Sequence, residues 1–414
     1  MAELYSLPDG WEWKTLSDIF NIERGGSPRP IKDYITYDED GINWIKISDA
    51  TKGDGKYIES TEQKIKPSGL KNTRLVVDGD FIMSNSMSFG KPYIVKTKGA
   101  IHDGWLLMRE KIEKTDKDFF YYLLSSNYMY EQFSSKASGT TVKNLNIDMV
   151  KTTNIPLPPF EEQKRIVAKL DILFAKIDKA IALHQKNCEE ADIFMASVLN
   201  DVFVELEEKY EYTKLKNAVT KEKTSIKRGP FGSALKKSFF VERGYLVYEQ
   251  YHALNNDFSM ERYYIDENKF NELKGFEVKA GDIIISCSGA YLGKLAIIPN
   301  DYTKGIINQA LLKLSLNKNI IINELFVYFW NNLMNNGFFD EVKKGAAIPN
   351  MPAVKELKEI NIPLPPLPTQ QKVVAYLDEI SQKMEKIKQI QKEKMQSLKE
   401  LKASILGKAF KGEL

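Results

Sequence analysis

NIPLPP at Asn154–Pro159 and NIPLPP at Asn361–Pro366 stand 207 residues apart in a chain of 414. The echo continues downstream at the same offset: QKRIVAKLD (Gln163–Asp171) faces QQKVVAYLD (Gln370–Asp378), and ASVLNDVF (Ala196–Phe203) faces ASILGKAF (Ala403–Phe410). Upstream it loosens and acquires small gaps. GTTVKNLN (Gly139–Asn146) faces GAAIPNMP (Gly345–Pro352), GDFIMSNS (Gly79–Ser86) faces GDIIISCS (Gly281–Ser288), and WKTL (Trp13–Leu16) faces YTKL (Tyr212–Leu215). A repeat on this scale decides the fold before any local reading does. Each half is a diverged region followed by a better-kept segment, and a duplicated chain is expected to set its two copies about a pseudo-twofold axis.

Three prolines in each hexamer cannot sit inside a helix, so the hexamer holds the chain extended and launches the next element. That element reads as a long helix. No Pro or Gly occurs from Glu161 to Glu205, and apolar residues recur in steps of three and four at Ile166, Leu170, Leu173, Ile177, Ile181, Ala191, Met195, Val198 and Val202. Val373, Leu377, Ile380, Met384, Ile387, Leu398, Leu401 and Ile405 repeat the pattern, while His184 and Gln391, again 207 apart, place polar groups in the two seams. Residues 160–206 carry nine acidic and six basic side chains; 367–414 carry six and ten. Opposite net charges favour packing the two helices on each other, antiparallel. In the diverged regions, LVVDGDFIMS (Leu75–Ser84) and FEVKAGDIIIS (Phe276–Ser286) read as strand, tight Gly-Asp turn, strand. DFFYYLLSS (Asp118–Ser126) and NELFVYFWNNLM (Asn323–Met334) read as short buried helices. The expected class is α+β: two pseudo-symmetric globular units separated by two long antiparallel coiled-coil helices.

Composition excludes several functions. With 43% hydrophobic and 28% charged residues the chain is an ordinary globular protein, and no apolar run reaches the roughly 18 residues of a membrane span. The start, MAELYSLPDGWEW, lacks the basic and apolar regions of a signal peptide. Two cysteines, Cys188 and Cys287, fit a reducing compartment, so the cytoplasm is expected. Three histidines, His102, His184 and His252, have no metal-ligand spacing. GAYLGKL (Gly289–Leu295) fails as a phosphate loop, having three residues between its glycines and Leu295 where a hydroxyl would hold magnesium. Neither a nucleophile elbow nor a dinucleotide fingerprint occurs. No catalytic site, metal or cofactor is expected, and the chain reads as a binding protein.

The formal charge of +3 is too small to argue for nucleic acid, so any such charge is local. Each diverged region carries a Gly-rich turn with a cation (ERGGSPRP, Glu23–Pro30; KRGPFGSALKK, Lys227–Lys237). Each also has a polar loop after its Gly-Asp turn (SNSMSFGK, Ser84–Lys91; SCSGAYLGK, Ser286–Lys294) and a pair of lysines near the last segment. Lysine and arginine position phosphates; small polar side chains read base edges. The candidate DNA-binding residues are Arg24, Ser84, Asn85, Ser86, Lys91, Lys136 and Lys143 in the first half. In the second they are Arg228, Lys236, Lys237, Ser286, Lys294, Lys343 and Lys344.

NIPLPPFEEQKRIVAKLD, NIPLPPLPTQQKVVAYLD, the helix ends ASVLNDVF and KASILGKAFKGEL, and the segments SNSMSFGKPYIV, IHDGWLL, GPFGSALKK, GDIIISCSGAYLGK and GTTVKNLN resemble the specificity subunit of type I restriction-modification systems along nearly the whole chain. GAAIPNMP departs from the usual ending of a recognition domain. The resemblance implies target recognition domains at 1–154 and 207–361 and spacer helices at 155–206 and 362–414. It implies that each recognition domain reads one half of a split double-stranded DNA site and that the helices set the gap. It also implies partners: two S-adenosylmethionine-dependent adenine methyltransferase subunits and ATP-driven restriction subunits. The chain itself would be non-catalytic, with base flipping and methyl transfer in the partner. A coiled-coil scaffold without a DNA role, and the DNA-recognition subunit of a type II-like system, are the other readings.

Overall fold

The computed structural model describes residues 5–51, 55–86, 89–113, 115–137, 144–340 and 349–414. The chain forms two compact units, residues 1–185 with 392–414, and residues 186–391. Two long helices, Phe160–Lys209 and Leu367–Ala409, each contribute to both units.

In the first unit two five-stranded sheets form the body. One runs Ile35–Thr36, Gln63–Ile65, Ile42–Ile45, Gly99–Ile101, Arg74–Val76; the other runs Phe20–Arg24, Trp105–Glu110, Phe81–Ser84, Pro92–Val95, Tyr57–Ile58. The second unit repeats this with four strands each. One sheet is Phe240–Val241, Tyr264–Ile265, Tyr245–Tyr248, Gly305–Ile307; the other is Ile226–Arg228, Leu311–Leu314, Ile283–Ser286, Leu295–Ile297. In both units the chain crosses between sheets through a short turn, residues 102–104 and 308–310.

The Gly-Asp turns were expected to close hairpins, and they do not. Arg74–Val76 pairs with Gly99–Ile101 in one sheet, whereas Phe81–Ser84 pairs with Trp105–Glu110 and Pro92–Val95 in the other. The turn is a corner that passes the chain from sheet to sheet. Gly79 and Gly281 supply positive φ (+87° and +83°). Asp80 and Asp282 are both buried and cap the corner, accepting from the Val77 and Lys279 N–H groups at 2.9 and 2.8 Å. Arg109 Nε then donates to Asp80 at 2.9 Å, and Ser315 Oγ to Asp282 at 2.6 Å. Two apolar runs about one Gly-Asp look alike in sequence whether they pair or part.

The Pro-rich hexamers are extended, as their composition demands, and each begins as a strand. Asn154–Leu157 pairs antiparallel with Glu12–Thr15, and Asn361–Pro363 with Tyr212–Lys214, joining each hexamer to the repeated WKTL or YTKL. Two-stranded ribbons tolerate proline because its missing N–H faces an open edge. The helices follow directly: Phe160–Lys209 contains no Pro or Gly, and in Leu367–Ala409 they stand only near the ends, at Pro368 and Gly407.

Each helix buries a wider stripe than a coiled-coil seam. In the first unit Ile166, Leu170, Phe174 and Ile177 join Phe119, Phe120 and Leu123 of the helix Lys117–Leu124, with Leu398 and Ile405 of the other long helix against them. In the second, Leu199, Phe203 and Leu377 join Phe326, Phe329 and Trp330 of the helix Asn323–Asn335. The pairing of early residues of one long helix with late residues of the other shows antiparallel packing within each unit. Ile387 and Leu401, expected in the seam, are 38% and 48% exposed. Their neighbours Lys388 and Lys402 lie there instead, donating to Asp192 at 2.8 Å and Asp178 at 2.9 Å. Near the middle, Asn187 Nδ2 donates to Gln391 Oε1 at 3.4 Å in the second unit, while His184, in the first, is half-buried.

Candidate nucleic-acid interface

The polar loops SNSMSFGK and SCSGAYLGK are closed by the same two backbone bonds. Ser84 N–H donates to Lys91 O (3.1 Å) and Gly90 N–H to Ser84 O (2.9 Å); Ser286 N–H donates to Lys294 O (2.7 Å) and Gly293 N–H to Ser286 O (2.9 Å). Each loop is tied to the crossover turn, Asn85 N–H to Gly104 O (3.1 Å) and Cys287 N–H to Ala310 O (2.8 Å). Each also receives the last segment of its domain, Leu145 N–H on Asn85 O and Met351 N–H on Cys287 O, both at 2.8 Å. The cation-bearing turn arrives from the other side, where Gly25 N–H donates to Trp105 O (2.9 Å) and Gly229 N–H to Leu311 O (2.8 Å). A Cβ on Gly25 would stand 2.1 Å from the His102 carbonyl oxygen, and one on Gly229 1.8 Å from that of Asn308, so only glycine permits the approach. Loops far apart in sequence thus converge on one surface in each unit.

In the first unit the hub is Asp103. Its carbonyl accepts from Arg24 Nε (3.0 Å) and Asn85 Nδ2 (2.9 Å), and its carboxylate accepts from Ser27 Oγ (2.7 Å) with Arg29 Nη2 at 3.6 Å. The Ser27 bond holds the Asp103 carboxyl below its usual range. Beside it an open groove of about 1140 Å³ is lined by Pro28, Arg29, Trp44, Lys46 and His102 among others. In the second unit Arg228 reaches Asn350 Oδ1, and its guanidinium lies 5.2 Å from the exposed Phe231 ring. Gln250 Nε2 donates to Ser286 Oγ (2.9 Å) and to Ser288 O (3.0 Å).

Of the expected residues, Arg24 and Ser86 gather on the first surface, with Ser84 and Asn85 buried beneath them. Lys91 is exposed, its ammonium 5.1 Å from the Tyr93 ring. On the second surface Ser286 is buried beneath Gln250 and Ser288, while Lys236, Lys237 and Lys294 are exposed. Lys136 is different. Its ammonium donates to Met149 O (3.2 Å), Thr152 Oγ1 (3.0 Å) and Thr153 Oγ1 (3.0 Å), and burial pulls its pKa down. With its three donors engaged, it staples the helix Asn127–Lys136 to the helix Ile147–Lys151 and its C-terminal turn. Lys143, Lys343 and Lys344 lie outside the described residues. Sequence reasoning missed Asp103, His102, Gln250 and Asn350; the alignment of IHDGWLL with INQALLK across the repeat was the signal available for the first two. Cys287, which takes the place of Asn85, is buried, and burial pushes its thiol up to about 11, so it is a neutral packing group.

The best-kept repeat residues face inward. Gln163 Oε1 accepts from Asp116 N–H (2.9 Å) while its Nε2 donates to Pro158 O (3.0 Å). Gln370 Oε1 accepts from Ile322 N–H (3.0 Å), and its Nε2 donates to Ile320 O (2.8 Å) and Pro365 O (2.9 Å). One turn pair onward, Tyr122 donates to Asp171 and Tyr328 to Asp378. These bonds root each long helix in the body that precedes it.

A tandem α+β body on paired helices, with a polar surface built the same way twice, defines a protein with two equivalent recognition units. The family profile described as "Type I restriction modification DNA specificity domain" matches residues 8–187 and, separately, 205–394, and the chain belongs to this family. It is similar to the specificity subunit of the type I restriction enzyme EcoBI of Escherichia coli, 23% identical over 431 residues that span 99% of this chain and 88% of the relative. A chain solved in work on complex assembly and conformational transition of the type I R-M system superposes with a TM-score of 0.73 at 24% identity, covering 99% of this chain and 100% of that one. The HsdS subunit of Thermoanaerobacter tengcongensis gives 0.51 at 24% identity, with 99% of each chain covered. Specificity subunits are the non-catalytic members of their complexes. No described helix is long and apolar enough to cross a membrane.

Proposed function

We propose that the chain is the DNA-reading subunit of a type I restriction-modification complex, with each unit reading one half of a bipartite double-stranded site. The observation that carries this reading is the repeated convergence of a cation-bearing turn, a polar loop and a crossover turn on one surface of each unit. The reading domains are 1–154 and 207–361, and the helical segments 155–206 and 362–414 set the spacing and dock two methyltransferase subunits, to which restriction subunits join. Arg24, Lys91, Lys143, Arg228, Lys236, Lys237, Lys294, Lys343 and Lys344 hold phosphates; Ser84, Asn85, Ser86 and Ser286 shape the reading loops, and Lys136 supports them from within. The DNA charge is met locally, which reconciles the role with a net charge of only +3.

The test is methylome sequencing of a host that expresses the chain with type I methyltransferase subunits, beside gel shifts with and without those subunits. A split adenine-methylated motif that disappears with the chain supports the proposal. Methylation independent of the chain, together with no DNA binding in either gel-shift arm, defeats it.

A further inference from the structure

The crossover turns carry His102 in the first unit and Asn308 in the second, at equivalent places between a parallel strand of one sheet and the second strand of the other. Both side chains turn back on their own backbone in the same way. Gly104 N–H donates to His102 Nδ1 at 2.9 Å, and Ala310 N–H donates to Asn308 Oδ1 at 3.0 Å, each two residues on. That bond fixes the identity of what is left over. An imidazole accepting at Nδ1 carries its proton on Nε2, and an amide whose Oδ1 is turned back to the backbone directs its N–H₂ the other way. Neither His102 Nε2 nor Asn308 Nδ2 has an acceptor among the described residues, and neither is sealed from solvent. His102 is further held between the rings of Trp44 and Trp105, with centroids 6.1 and 6.0 Å away, and opens on the groove beside Arg29 and Lys46. Desolvation lowers its pKa, which keeps the ring neutral at pH 7.

We propose that His102 and Asn308 are matched specificity-determining residues, each presenting one oriented, uncharged N–H donor to a base acceptor in the major groove of its half-site. The inference rests on the DNA-reading function proposed above and adds to it the residue and the polarity of the contact. Purine N7, guanine O6 and thymine O4 are acceptors there, whereas cytosine offers a donor. Cations surround the turn and suffice for phosphates. A neutral donor with one fixed direction adds little affinity for a phosphate but discriminates between bases. Two chemically different side chains with the same inward acceptor and the same outward donor are what two readers need when the turn is inherited and the base is not.

The experiment is selection of bound duplexes from a random library by the full chain with type I methyltransferase subunits. Asn308→Asp is isosteric, keeps the Oδ1 acceptor for Ala310 N–H and turns the outward donor into an acceptor. It is expected to change the preferred base at one position of one half-site and to lower enrichment of the wild-type site about tenfold to a hundredfold, leaving the other half-site unchanged. His102→Asn keeps both polarities and is expected to retain an acceptor base in the other half-site, whereas His102→Asp loses it. Unchanged preferences in Asn308→Asp and His102→Asp, or an even loss of affinity across all sequences as for a phosphate contact, overturn the proposal. So does ¹⁵N NMR of the three histidines if it places the His102 proton on Nδ1. Failure of the wild-type chain to select any sequence overturns the DNA-reading function itself, and this inference with it.

Discussion

Gln370 uses its whole amide inside the protein, holding Ile322 N–H, Ile320 O and Pro365 O, and it is fully buried. Replacing it with Leu leaves three backbone groups without partners, and each unpaired buried group carries a desolvation penalty. Gln370→Leu should therefore destabilise the second unit by about 2–4 kcal/mol, read as a lower midpoint in urea unfolding, while an exposed neighbour such as Gln371→Leu stays within about 0.5 kcal/mol. His102 makes a different, pH-dependent contribution. Its folded pKa lies below the ordinary value of about 6.5, so in the window between them the unfolded chain binds more protons. The stability it contributes is complete above about pH 6.5 and is lost progressively as pH falls from there through the lower folded pKa. Protonation also removes the Nδ1 acceptor from Gly104 N–H. Thermal melts from pH 7 to 5 should decline more steeply for the wild type than for His102→Asn; parallel declines would show that the ring titrates freely in the fold.

Among the elements, the long helices were the most legible part of the sequence. Stretches as long as Phe160–Lys209 and 369–406 without Pro or Gly and with regular apolar steps leave no other structure. What the pattern could not reveal is which of two partners each apolar residue meets. Leu199, Phe203 and Leu206 bury against their own body, and Lys388 and Lys402 displace Ile387 and Leu401 from the seam because an acidic partner stands opposite. The pairs Asp178–Lys402 and Asp192–Lys388 give physical form to the opposite charges of the two segments. Each is partly exposed and contributes about 0.2–1 kcal/mol, with screening by salt. Lys402→Glu, which sets like charge beside Asp178, should lower the melting temperature, and adding Asp178→Lys should restore most of the difference at low ionic strength. The Gly-Asp corners were illegible for a different reason. Whether two strands flanking a turn pair with each other depends on where their other edges go, and that is decided by strands far along the chain.

For the whole molecule, the repeat made the two-unit architecture readable, whereas the recognition surfaces were readable only as loose loops. Their convergence depends on backbone bonds such as Leu145 N–H to Asn85 O, which leave no mark on side-chain identity. Two expectations belong to this scale. Alanine at the exposed Lys236, Lys237 and Lys294 should weaken binding evenly across sequences and reduce the slope of log affinity against log salt by about one unit for each phosphate no longer neutralised; an unchanged slope would place that surface away from DNA. Exchange of residues 1–154 for the equivalent region of another family member should alter one half of the methylated motif and leave the other intact, as read by methylome sequencing. A folded hybrid that alters both halves would show that the readers are not independent.

The roots of the long helices bear on how such proteins diversify. Gln163 and Gln370 grip main-chain N–H and C=O groups, which every sequence possesses, and ask of the incoming domain little more than a tyrosine to meet Asp171 or Asp378. A socket that recognises backbone is indifferent to what its lodger is made of. Genes that recombine near the Pro-rich hexamers would inherit a working joint with each new reading domain, and the surface loops could drift without loosening it.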